Sequence, residues 1–374
     1  MAFYNLIDGN YVFNGSGENS FFRAEGFGHD FLLGGSGNDT LMGGAGDDFI
    51  IGGGMDDGYY YDIDWYGDDN FFVAIVPDGP WAEGSDLLLG GSGNDTILGG
   101  GWDDGLVDDN GWYDLGEDVS ADVSVYNSVV GPFYWENEIW AGSGDDLVVG
   151  GNVNDTIGGG EGHDEIYGRG GWDDIYGGSG DDTIDGGYGE DYIWGGSGWD
   201  DIYGGDDDDM LGGGTGTDFL NGGWGDDTIY GGTQGDAVVG GEDDDILYGG
   251  TGNDTLWGDN GAEGYGHDII YGGAGHDDIW GGAGDDILYG GSGEDYFIFQ
   301  EGHGFDFIED FDIWDDRLIL DGFNDIQDWD DLAYYSYEAV VDGTFGLMIE
   351  TTATDSIFLT GITWDDLYGM DVTF

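Results

Sequence analysis

The chain of 374 residues has no lysine and no cysteine, three prolines, and only three arginines, Arg23, Arg169 and Arg317. Phosphate recognition needs clustered basic side chains, so nucleic acid is excluded as a partner, as is an anionic membrane surface. Without cysteine there is neither a disulfide framework nor a thiolate metal site. No apolar run approaches the ~18 residues of a spanning helix, so no membrane insertion is expected. The opening residues Met1 to Asp8 lack the basic region and long apolar run of a cleavable signal peptide. Catalytic signatures are also missing. There is no GxSxG elbow and no GxxxxGK[ST] loop, and GxGxxG-like strings are inevitable among 85 glycines. Adjacent Asp-Asp pairs abound, but they follow a repeat and do not mark a glycosidase dyad. The chain is read as non-enzymatic.

What is present is acid and glycine. Of 83 acidic residues 67 are Asp and 16 Glu, and the formal net charge is −80. Such a charge opposes compaction. The chain is nevertheless 16% aromatic, and its acids are phased. A generic acidic surface would draw on both acids; the bias to the shorter one points to geometry.

From Ala141 the sequence reads AGSGDDLVV, GGNVNDTIG, GGEGHDEIY, GRGGWDDIY, GGSGDDTID and onward in a nine-residue frame. Thirteen units run from 141 to 257, an insertion is placed at Gly258 to Ala262, and four units follow from Glu263 to Ile298. Position six is always Asp: Asp146, Asp155, Asp164, Asp173, Asp182, Asp191, Asp200, Asp209, Asp218, Asp227, Asp236, Asp245, Asp254, Asp268, Asp277, Asp286 and Asp295. Position eight is always apolar. An upstream block carries Asp30, Asp39, Asp48, Asp57, Asp86, Asp95 and Asp104, interrupted by apolar, aromatic insertions at about 61–80 and 108–140, which are expected to add strands or covering loops.

Glycine at positions one, two and four is expected to permit left-handed or otherwise strained backbone in a tight turn. Positions seven to nine should form a very short strand with position eight pointing inward. Two units then make an 18-residue coil, and coils stack at about 4.8 Å. Stacking sorts the aspartates into two columns. The first runs from Asp146, Asp164 and Asp182 to Asp277 and Asp295; the second from Asp155, Asp173 and Asp191 to Asp268 and Asp286. Unit charges about 4.8 Å apart repel by roughly 0.9 kcal/mol per pair even in water. A hard cation between turns reverses that sign, and calcium suits a carboxylate plus several carbonyls better than magnesium does. The expected metal residues are these seventeen with Asp39, Asp48 and Asp95, giving fifteen same-side intervals in the main block.

The GGxGxDxUx unit resembles the repeat of RTX proteins. The resemblance implies an all-β, right-handed parallel β-roll with a C-terminal β cap. It also implies multiple Ca2+ ions held by Asp and backbone carbonyls of turns one coil apart. Export by type I secretion machinery through an uncleaved C-terminal signal would make the protein secreted, extracellular or surface-associated. Gly302-His303-Gly304-Phe305-Asp306 through Leu320 is similar to the capping region of serralysin-type proteins, and Leu359 through Phe374 to their secretion terminus. The serralysin HExxHxxGxxH zinc motif is absent; His163-Asp164-Glu165 lacks the second His. Four of five histidines, His29, His163, His267 and His276, fall at position five and are read as tolerated turn residues.

The expected organisation is an N-terminal cap with degenerate repeats at 1–33, a first repeat block at 34–107, an insertion at 108–140, the main block at 141–298, and a cap with export signal at 299–374. One outward row reads Gly158, Tyr176, Trp194, Gly212, Tyr230, Tyr248, Tyr271, Tyr289. This aromatic ladder either packs on itself or offers a surface for self-association or glycan binding. The function is read as a structural, cell-surface or matrix role, or alternatively as a polysaccharide-binding accessory module.

Overall fold

The computed structural model of the protein describes residues 2–5, 11–14, 21–23, 30–35, 40–45, 48–53, 87–92, 96–98, 137–259 and 266–374. The insertion at 61–80 lies outside them, as do residues 108–136 of the one expected at 108–140, whose last three residues instead open the strand Glu138–Ser143, and Asp39, Asp57, Asp86, Asp95, Asp104 and His29. Two compact units are present: residues 1–161 with 168–171, and residues 162–167 with 172–374.

In the first unit, Ala2–Asn5 pairs antiparallel with Tyr11–Asn14. Every later pairing described there is parallel, and the strands alternate between two sheets. Thr40–Ala45 pairs with Leu87–Ser92, which pairs with Glu138–Ser143, so the coil register resumes beyond each insertion.

The second unit repeats one strand and one turn per nonapeptide. Asp174–Ser179, Tyr192–Ser197, Met210–Thr215 and Thr228–Thr233 stack in parallel in one sheet, 18 residues apart. Thr183–Tyr188, Asp201–Asp206, Phe219–Trp224 and Ala237–Glu242 do so in the other. Each strand takes positions seven to nine of one repeat and one to three of the next. The expected three-residue strand is therefore six residues long, and the turn shrinks to positions four to six. Position eight supplies the core: Ile175, Ile193, Leu211, Ile229, Ile184, Ile202, Leu220 and Val238 have no exposed surface. Burying each contributes about 2 kcal/mol.

The expectation for glycine holds at two of its three positions. Gly178 and Gly180, at positions two and four, have φ +119° and +133°. Position-one glycines such as Gly177 and Gly204 do not adopt positive φ. They are required by space. A Cβ on Gly204 would lie 2.3 Å from Asp209 Oδ2 and 2.6 Å from the Gly222 carbonyl oxygen.

Beyond the repeats the core changes character. Phe305–Ile308 pairs with Ile287–Ser292 on one side and Ser356–Thr360 on the other. Thr344–Glu350 then pairs antiparallel with Ser356–Thr360 and with Ser336–Val341, ending the parallel stack. The other sheet finishes with Arg317–Leu320 and Asp371–Thr373. The α-helix Trp329–Tyr334 is capped by Asp328, which accepts from the N–H groups of Asp330 and Asp331. Phe299, Phe311, Phe323, Ile326, Leu332, Leu347 and Phe358 fill this region. Such an end covers edges that stacked coils leave open.

Candidate metal centre

From Asp182 to Asp295 each column aspartate enters the turn interior beside a glycine five residues earlier, or ten across the insertion. Asp164 to Asp295 are all buried, none more than 3% exposed. Their two oxygens are used differently. In the second unit Oδ1 accepts from the backbone N–H of the aspartate one coil earlier, at 2.7–3.0 Å, from Asp164→Asp182 and Asp173→Asp191 through to Asp277→Asp295. Oδ2 lies beside the position-one glycine and a carbonyl of the next coil. At Asp182, Asp191, Asp200, Asp209, Asp218, Asp227, Asp236, Asp245, Asp254, Asp268, Asp277, Asp286 and Asp295 this oxygen is buried without a hydrogen-bond partner. A buried carboxylate oxygen left this way is strongly disfavoured.

Desolvation raises these acids. In the first column Asp182, Asp254, Asp277 and Asp295 move up to about 6, and Asp200 and Asp236 to about 7. In the second, Asp191 and Asp227 reach about 7, Asp268 and Asp286 about 8, and Asp209 and Asp245 about 9. Burial is the leading cause throughout; the accepted N–H bond opposes it, and neighbouring aspartates add to it. The columns thus demand either protons or a cation.

Both columns extend past the residues read from the repeat. Asp286 N–H donates to Asp306 Oδ1 and Asp295 N–H to Asp316 Oδ1. In the first unit Asp30 N–H donates to Asp48 Oδ1, and Asn137 N–H to Asp155 Oδ1, so Asn137 stands where the pattern calls for Asp. Spacings of 20 and 21 residues hide Asp306 and Asp316 from a nine-residue frame, whereas Asn137 is in frame and is hidden by being an amide. An acid or amide two residues before an apolar one (Asn137/Ile139, Asp306/Ile308, Asp316/Leu318) is the signal that finds them. The insertion is also re-placed. Gly258 and Asp259 continue the strand Thr255–Asp259, and a Cβ on Gly258 would strike Asp268 Oδ2, so the extra residues follow Asp259.

Position five forms a second, outer ladder running the opposite way. Asp208 Oδ1 accepts from Asp226 N–H, Asp226 from Asp244, and Asp244 from His267. His267 Nδ1 accepts from Asp285 N–H, as His163 does from Asp181 and His276 from Glu294. His163, His267 and His276 are therefore more than tolerated: each replaces a carboxylate as acceptor. His303 differs. It is buried, with Nδ1 2.5 Å from Asp306 Oδ2 and Nε2 2.7 Å from Thr351 Oγ1. Burial lowers its pKa to about 4 and raises Asp306 well above the carboxylate range, holding the pair without net charge. Thr351 is 2% exposed, so this chain of contacts presents no nucleophile to a substrate.

Among the described residues no three acidic or imidazole groups converge on a point. A cation here must take most of its oxygens from backbone carbonyls, which calcium, with six to eight flexible ligands, accepts. The donor set fits that ion: from Asp182 to Asp295 an unpartnered Oδ2 recurs in every turn, and in ten of these thirteen turns a neighbouring coil's carbonyl adjoins the same glycine.

The family model described as RTX calcium-binding nonapeptide repeat (4 copies) matches residues 26–58, 82–105, 136–157, 150–184, 176–211, 213–238, 230–262 and 264–297, more than half of the chain. The chain belongs to the RTX calcium-binding nonapeptide repeat family. It binds calcium, in multiple ions, through a parallel β-solenoid. RTX repeats thus account for both the nine-residue frame and the buried acid. No curated protein matches the sequence. Among solved structures, a hyperactive, Ca2+-dependent, β-helical antifreeze protein from an Antarctic bacterium is similar at 22% identity and TM-score 0.32, over 81% of this chain and 77% of that one. No helix among the described residues is long and apolar enough to cross a membrane.

Proposed function

We propose that this protein is a non-catalytic, calcium-folded roll that acts outside the cell in a structural, cell-surface or matrix role. Its ions lie between same-side turns one coil apart, with Asp164/Asp182, Asp173/Asp191 and the pairs that follow as carboxylate donors, Asp39, Asp48, Asp95, Asp146 and Asp155 serving the earlier turns. The observation that carries this reading is the row of thirteen buried Oδ2 atoms without partners, ten of which crowd the position-one glycine together with a backbone carbonyl of the next coil. Bound calcium neutralises these oxygens and bridges successive coils. Because the turns form only in the folded chain, binding free energy becomes folding free energy.

That coupling suits export. Extracellular calcium modules bind at about 10⁻⁴–10⁻³ M, far above cytosolic levels, so the chain stays unfolded inside, threads type I secretion machinery and folds outside. Residues 299–374 cap the roll and carry the export signal. An anomalous-scattering map at the calcium edge tests the sites: density along both columns is expected, and its absence overturns the ligand assignment. Removing the last fifty or so residues should abolish export, and continued secretion would place the signal elsewhere.

The aromatic row is better read as packing. Trp194 stacks with Tyr230 across Gly212, and Tyr230, Tyr248, Tyr271 and Tyr289 stack at 4.6–4.9 Å. Each inner ring spends both faces on its neighbours, leaving edges outward.

A further inference from the structure

The opposite sheet carries a different aromatic arrangement. Its outward position-nine row reads Asn221, Val239, Trp257, Trp280, Ile298. Trp257 and Trp280 stack on each other at 5.3 Å and 19°. They are half-buried and flanked in the row by Val239 and Ile298, which are shorter and place no ring on the outer face of either indole. A cavity of about 700 Å³ reaches both flanks and is lined by Asn221, Val239, both tryptophans, Asp259, Ile298, Gln300 and Glu301 among others. That volume is in the range of small-ligand sites.

A second observation points to a ligand there. Asp259 is 7% exposed and lines the cavity. Its Oδ2 accepts from Ala283 N–H, while its Oδ1 is buried with no hydrogen-bond partner. At this place in the repeat, position two, glycine is the rule, and nothing in the turn chemistry needs a carboxylate.

We infer that this cleft is a binding site for a neutral saccharide. Open indole faces accept the C–H face of a pyranose ring. Asp259 Oδ1 and Glu301 accept from hydroxyls, and the amides of Asn221 and Gln300 both donate and accept. With no lysine or arginine lining the cavity, its one histidine, His303, held neutral by burial, and a net charge of −80, an anionic sugar is repelled. The site is distinct from the tyrosine ladder, whose inner ring faces are occupied.

The test is titration of the full chain, in millimolar calcium, with short neutral oligosaccharides of gluco, manno and galacto configuration and with oligouronates. Calorimetry and tryptophan emission are the readouts. At least one neutral series should bind saturably. Trp257→Ala/Trp280→Ala should weaken it by about a hundredfold, and Asp259→Asn by about tenfold. Tyr248→Ala should leave it unchanged. The isosteric Asp259→Asn keeps the test decisive if the double variant loses its β spectrum. No binding by any neutral series, tighter binding of uronates, unaltered binding by Asp259→Asn, or loss through Tyr248→Ala would each overturn the inference.

Discussion

The stacked coils of residues 172–298 and the cap of residues 299–374 share one sheet pair yet are held together by opposite means. A coil's core is one apolar residue per repeat, such as Ile229, beside a buried carboxylate, such as Asp227. The cap has Phe299, Phe311, Phe323, Leu332, Leu347 and Phe358 instead, with an antiparallel hairpin and a capped helix. The coils bury unneutralised acid; of the cap's buried acids the most enclosed, Asp306, has a histidine in contact. A thin core with internal charge depends on its counter-ion, whereas a thick apolar one depends on packing.

Chelation is the most severe test of that contrast. At neutral pH, excess chelator should collapse the β signal of the coils, while amides of Thr344–Glu350 and Ser356–Thr360 keep the longest hydrogen-exchange protection. Equal protection of coil and hairpin amides in chelator would erase the distinction.

Glycine substitution should separate the regions next. Gly204→Ala places a Cβ 2.3 Å from Asp209 Oδ2 and 2.6 Å from Gly222 O. It should cost about 3 kcal/mol or more and weaken calcium binding. Gly322→Ala in the cap meets nothing within 4 Å and is strained only by φ +85°, at about 1 kcal/mol. Denaturant midpoints in calcium compare the two; a costlier Gly322→Ala would contradict the spatial reading of position one.

Acid should partly replace calcium. The folded carboxyls of the columns titrate at about 6 to 9, above the unfolded value near 3.8. The folded state therefore binds more protons, and metal-free stability falls as pH rises through that window and is greatest below the unfolded pKa. In chelator, β structure in the coils should grow as pH drops from 9 towards 4. Calcium affinity should decline over the same range as protons compete. A coil signal in chelator that is flat with pH would refute burial as the source of the calcium requirement.

The smallest effect belongs to the cap's surface. Arg317 reaches Asp371 at 2.6 Å from a partly exposed position. Arg317→Ala should cost no more than about 1 kcal/mol, less in high salt. A larger, salt-independent loss would mean that the pairing of Arg317–Leu320 with Asp371–Thr373 hangs on this contact.

Much of this was legible in the chain because the repeat is its own register. A nine-residue period with Asp at six and an apolar residue at eight leaves one way for coils to stack, so Asp182 and Ile184 were placed by pattern alone. The acidic composition likewise required a hard cation. Other features depend on neighbours that no local pattern names. Gly177 and Gly204 are held to glycine by an aspartate five residues on and a carbonyl 18 residues on, which only stacking brings together. The division of the carboxylates from Asp182 to Asp295 into a bonded Oδ1 and an unpartnered Oδ2 arises between coils. Asp306 and Asp316 join the columns across turns of irregular length, and Asn137 joins at the regular step as an amide. Whether a ring row offers faces or edges, as Trp257 and Tyr248 differ, is set by the size of the residue one coil away. The sequence by itself determined the period, the columns and the ion; tertiary structure decided which atoms are left wanting a partner, because that depends on contacts 18 residues apart.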